Sequence, residues 1–159
     1  MPLYLDDRDA FSRAVAREAA HAAVAEHFGM TVHDVELDWR GFPACHYSGE
    51  VCDGVHPYEA NILILLAGFV GERVWGQREW WSSADDLSQW MDHVEFDPND
   101  RPDSAFEADL VLALQVSGND LERLNERERQ AYALLTENQP VIERWRDLTT
   151  ALHGLAGGQ

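Results

Sequence analysis

The run Arg17-Glu18-Ala19-Ala20-His21 carries the most suggestive chemistry in the chain. Residues four apart on a helix share a face, so Arg17 and His21 point the same way, with Glu18 beside His21. A histidine at position 17 would complete H-E-x-x-H, in which two imidazoles hold zinc and the glutamate takes a proton from the metal-bound water. Arginine cannot be the missing ligand, because its guanidinium has no available lone pair and stays protonated. Glu18, His21 and one further carboxylate have the donor atoms for a metal, but Glu18 would then cease to be the general base. No cofactor is expected at this site, and zinc enters only if the site is rearranged. The plain alternative is an alanine-rich helix that matches the pattern by chance.

Other clusters are weaker. Cys45, His46, Cys52 and His56 are four soft ligands within twelve residues. Their spacing is not that of a zinc knuckle, and neighbours on a strand such as Cys45 and His46 face opposite sides. A half-buried cysteine, turn residues and surface histidines are expected there. His27, His33, His93 and His153 show no partner pattern and read as surface residues. Glu18-x-x-His21 is half of a di-iron carboxylate pattern whose second half is absent. Trp75, Trp80, Trp81 and Trp90 cluster in one segment. Core packing explains most of them, and adjacent loop tryptophans leave one, Trp81, as a candidate contact residue.

These residues need elements to position them. A first helix should start near Asp6 or Asp7, either of which can cap it, and stop at Gly29. "TVHDVELDW" (Thr31 to Trp39) alternates as a strand, with an irregularity near Asp34. "RGFP" is a turn, and Ala44 to Val51 is a second, partly exposed strand. Pro57 opens a helix, "PYEANILILLAGFVGERVWG", that is apolar nearly all round and should be central and buried. Ser82 or Ser83 can cap a helix to about His93, and Phe96 to Ser104 reads as a loop. Helices are then expected over Ala105 to Ser117, Asp120 to Asn138 and Pro140 to His153, with a frayed tail "GLAGGQ". Neither a repeat nor a dividing linker is visible, so residues 1–159 are expected to be one domain of α+β class, mainly helical with a small β-ribbon.

Composition narrows the partners. The 159 residues are 45% hydrophobic and carry 29 acidic against 12 basic residues, a formal charge of −17. Such a surface repels nucleic acid and anionic membranes, so neither is an expected partner. Solubility is the ordinary consequence of this acidity, and neutral or basic proteins and peptides are the partners it favours. The longest apolar run, Ile62 to Val70, is core-helix length. A signal peptide is not visible in "MPLYLDDRDA", and two cysteines suit a reduced, cytoplasmic protein, although a short disulfide stays open. The sequence does not fix an oligomeric state.

In order along the chain, several segments resemble the peptidase domain of the FtsH-type ATP-dependent zinc metalloproteases. "AVAREAAHAAVAEHFG" resembles that family's zinc helix. "TVHDVELDWRGFPACHYSGE" resembles the strand, turn and strand that follow it. "LLAGFVGERVWG" and "WSSADDL" resemble the second signature, whose aspartate is the third zinc ligand and matches Asp86. "ERERQAYALLTENQPVIERWRDLTTAL" resembles the C-terminal helical pair. The departures are Arg17 for the first zinc histidine, Ala20 for the glycine within the motif, Phe69 for the usual arginine after Gly68, a second-signature helix one residue shorter, and the absence of a G-x-x-x-x-G-K-[ST] ATPase motif. The resemblance implies an FtsH-peptidase-like fold in which Glu18 is a vestigial general base and His21 and Asp86 are vestigial ligands. With the metal gone, converging carboxylates favour a fixed cation, so Arg17 is expected to fold over the old metal position and pair with Asp86, directly or through one water; the alternative is that Arg17 points into solvent. An inactive peptide- or protein-binding or regulatory module is the expected function, with Tyr47, Val51 and Trp81 lining the peptide cleft. The alternatives are an active zinc peptidase with a rearranged site and an acidic interaction protein that uses the fold as scaffold.

Overall fold

The computed structural model describes residues 8–37, 43–49, 51–52, 54, 56–76 and 105–157. In chain order these form α1 (Arg8–His27), β1 (Thr31–Leu37), β2 (Pro43–Ser48), α2 (Pro57–Gly76), α3 (Ala105–Val116), α4 (Leu121–Glu137) and α5 (Gln139–Gly157). The described chain is mainly helical, as expected. The possible caps Asp6 and Asp7, the segment 77–93 beyond the end of α2 with Trp80, Trp81, Asp86 and Trp90, and the loop Phe96 to Ser104 lie outside the described residues.

Two helices make the centre. α1 packs on α2, α5 and the ribbon, while α2 packs on α1, α3 and α4. On α2, Ile62, Ile64, Leu66 and Phe69 are fully buried. Each such side chain contributes about 1.5–3 kcal/mol relative to an exposed one. The sequence marks α2 as the central helix, and α1 proves to be buried to the same degree. From Ala14 to Ala25 only Glu18 is not buried. Alanines give little burial energy each, but they let four neighbouring elements approach one helix on several sides.

Local signals set the boundaries. α1 ends in a glycine cap: Gly29 N–H donates to Glu26 O (2.9 Å) and Met30 N–H to Ala25 O (3.1 Å), which satisfies carbonyls the helix leaves open. Gly29 sits at φ +88°, and a side chain there would also meet Cys52 Cβ at 3.0 Å. Asp120 caps α4 through Arg123 N (3.1 Å), and Asn138 caps α5 through Val141 N (3.2 Å). The strands pair antiparallel, Val32 opposite Tyr47 and Val35 opposite Cys45, with the register shifting between Val32 and Asp34 where an irregularity was expected. β2 is shorter than expected. It stops at Ser48 because Gly49 turns the chain at φ +104°, so Val51 follows the strand and is not part of it. The tail also differs: α5 runs on to Gly157. Leu148, Thr149 and Leu152 are buried, which docks its second half on the body and extends the helix past His153.

Ion pairs staple the layers. Arg123 and Arg127 of α4 both hydrogen-bond the Glu59 carboxylate of α2. Partial burial pushes the Glu59 carboxyl up, but the hydrogen bonds from Arg123 and Arg127 and their charges hold it below its ordinary value. Arg144 of α5 grips Glu26 of α1 with two bonds, 2.7 and 3.0 Å, which raise the guanidinium further above its ordinary range.

Candidate functional site

Arg17, Glu18 and His21 sit mid-way along α1, where it crosses α2. His21 is 6% exposed, and its Nδ1 lies 2.7 Å from the Ile64 carbonyl. A carbonyl only accepts, so Nδ1 carries a proton and donates it to Ile64 O. One turn along α2 from Ile64 stands Gly68. A methyl group there would lie 2.3 Å from His21 Nε2, 2.5 Å from Cε1 and 2.8 Å from Arg17 Cγ. The glycine is thus a seat for the imidazole and the arginine stem, which confirms that residues 17 and 21 share a face. Gly71 repeats the device beside Ala20, whose Cβ would be 2.7 Å from an added methyl. Trp145 of α5 closes the same crossing, its indole N–H donating to Ala16 O at 2.9 Å.

Arg17 is also buried, at 6% exposure. Its Nε and Nη2 both reach Glu18 Oε1, each at 3.2 Å. The arginine stem lies against α2, and its head is turned to the carboxylate next in sequence. A cation therefore occupies the ground beside Glu18 and His21, and it engages one Glu18 oxygen, Oε1.

Of the positions where the family resemblance implies zinc ligands, the described residues hold Arg17 and His21. Arg17 supplies a buried positive charge where the first imidazole would stand, and a divalent ion beside it would be repelled. Among the described residues, no group of three His, Cys, Asp or Glu side chains could hold a metal ion. Asp86, the matched third ligand, and Trp81 lie outside the described residues. Of the second cluster, Cys52 and His56 are exposed and Cys52 carries a free thiol. Cys45 and His46 are consecutive on β2, opposite Val35 and Asp34. Tyr47 is on β2 and Val51 is partly exposed beyond its end.

No protein-family model matches the chain, and neither a curated protein nor a solved structure matches it.

Sequence reasoning had the Arg17–Glu18–His21 constellation but missed what holds it. Ile64 and Gly68 on α2 and Trp145 on α5 are separated from it by roughly 40 to 130 positions. One signal was present: a glycine inside an otherwise apolar helix marks a close approach.

Proposed function

We propose that the chain is a non-catalytic peptide- or protein-binding module on an FtsH-peptidase-like scaffold, in which the Arg17 cation stands where that family places zinc. The burial of Arg17 against Glu18 carries this reading. A buried guanidinium is costly to keep and is retained only with a partner. Here the partner is the very glutamate that a peptidase would use as base. In the same reading Asp86 approaches the guanidinium from its other side, directly or through one water, and Trp81 walls the cleft. An extended peptide would add along the ribbon near Tyr47, reading backbone groups as a third strand, with Val51 at the exit.

The test is activity and binding measured together. Protein purified without chelator should contain no stoichiometric zinc and should retain a permanently unfolded model protein without cleaving it. Zinc-stimulated cleavage that Glu18→Gln abolishes would overturn the proposal. Absence of both binding and cleavage would favour the acidic interaction protein instead. One observation favours the rearranged-hydrolase alternative: an imidazole that donates Nδ1–H to a carbonyl is oriented as metal-binding histidines are. Zinc content decides between the two.

A further inference from the structure

A groove of about 480 Å³ opens where the end of α1, the middle of α2 and the last turns of α4 meet. Phe28, Leu63, Ala133 and Leu134 line it, with His27 and Glu137 on its rim. The floor is anchored: Leu63 belongs to the buried core, Phe28 and Leu134 pack on that core, and His27 meets Phe28 edge-to-face at 5.1 Å. The volume lies within the range of small-ligand sites and suits a few side chains rather than a helix.

Glu137 is the one carboxylate among its lining residues, and Arg127 stands behind Gln130 with Nη1 3.0 Å from Gln130 Oε1. Glu137 is exposed and makes no ion pair among the described residues. It is also the last residue of α4, where the final carbonyls concentrate the negative end of the helix dipole. The next side chain, Asn138, is turned to Val141 N of α5 and so caps the following helix rather than this one. No arginine lines the groove. In a chain of charge −17 an anionic ligand would be repelled, whereas a cation joined to an apolar group meets both halves of the surface.

We propose that this groove receives a partner segment in which an apolar side chain adjoins an arginine or lysine. The apolar group rests on Phe28 and Leu134, and the cation sits at Glu137 and the end of α4. The proposal uses none of Arg17, Glu18 and His21 and stands apart from the reading of that site.

The probe is N-acetyl-leucyl-arginine amide, titrated into the isotope-labelled full chain, with N-acetyl-leucyl-glutamate amide as its counterpart. Saturable amide shifts confined to residues 27, 28, 63 and 130–138 are expected with the arginine peptide only. Glu137→Arg, an exposed change that should leave the denaturation midpoint in place, is expected to weaken binding at least about tenfold, equivalent to about 1.4 kcal/mol. Ala133→Phe, which fills the floor, should weaken it independently. Shifts scattered over the acidic surface, an equal response to the glutamate peptide, no saturable shift in the groove, or an unchanged affinity in Glu137→Arg would each overturn the proposal.

Discussion

Gly68 lets α1 and α2 come close at His21. The ring is held from its other side by the Ile64 carbonyl, so it cannot retreat from an added methyl 2.3 Å away without breaking that 2.7 Å bond. Gly68→Ala should therefore destabilise the fold by about 1–3 kcal/mol, as overpacking does. The cost should be less than additive with His21→Ala, by about 0.5–3 kcal/mol of coupling, because the second change removes the group that clashes. Urea midpoints of the two single variants and the double variant measure this, and strict additivity would rule out the seat. Arg17 makes a second residue-scale case. The sequence allowed the side chain to turn into solvent or to fold over the site, and helix periodicity cannot choose between them. The structure buries it, with side-chain exposures of 7% for Arg17 and 15% for Glu18. Arg17→Ala should then cost about 3–5 kcal/mol, because it strands a largely buried carboxylate. An exposed pair would cost under about 1 kcal/mol, so a midpoint that hardly moves would show that Glu18 is solvated without its arginine.

Between elements, the joints are polar and long-range. Glu59 ties α2 to α4 through Arg123 and Arg127, and folding lowers its pKa from an ordinary value of 4.5. The charged form is thus the one that folding favours. Its stabilisation is complete above the ordinary carboxylate value, declines as pH falls through that range, and is lost below the folded pKa. Glu59→Gln should accordingly lower the urea midpoint at pH ~7 and flatten its fall between roughly pH 5 and 3; parallel acid limbs in the two proteins would remove Glu59 from the account. This joint was not legible in the sequence, since residues 59, 123 and 127 lie on helices far apart in the chain with no local pattern linking them. The same holds for Trp145, whose indole finds the Ala16 carbonyl 129 positions away. What was legible was local. Gly29 as a stop, Pro57 as a start, Asp120 and Asn138 as the limits of a helix, and the break in alternation at Asp34 act through their own backbone neighbours, and the structure places the end of α1, the starts of α2, α4 and α5 and the ribbon's irregularity there. Where tertiary contact decides, local reading falls short. α5 outlasts its glycine at 154 because Leu148 and Leu152 are docked. The constellation of Arg17, Glu18 and His21 was legible as a shared helix face, but its burial depended on Ile64 and Gly68 of another helix.

For the molecule as a whole, charge is the dominant long-range term. All twelve basic residues are arginines and none is lysine, against 29 acidic residues. Arginine stays protonated to beyond pH ~12, so the positive charge is fixed across the usable range. With −17 in a chain of this size, most charge pairs are repulsive, and self-repulsion works against the compact state. Among the described residues the attractive pairs act at short range: Arg144 with Glu26 is partly exposed and worth at most about 1 kcal/mol, Arg123 and Arg127 share Glu59, and Arg17 with Glu18 is shielded from ions by burial. Salt shortens the reach of charge from about 30 Å at 0.01 M to about 8 Å at 0.15 M, which cuts the diffuse repulsion far more than contacts within a few ångströms. Sodium chloride over that interval should therefore raise the thermal midpoint at pH ~7. Chloride is the right salt, since sulfate stabilises through exclusion from the surface and would confound the reading. The groove beside Glu137 should respond in the opposite sense, because a cationic peptide is drawn by the same field that strains the fold. Its affinity should fall over the salt interval that strengthens the protein. Opposite slopes for stability and binding in one buffer series follow only if the excess negative charge governs both, and a midpoint that fell with salt would mean that the local pairs outweigh the repulsion.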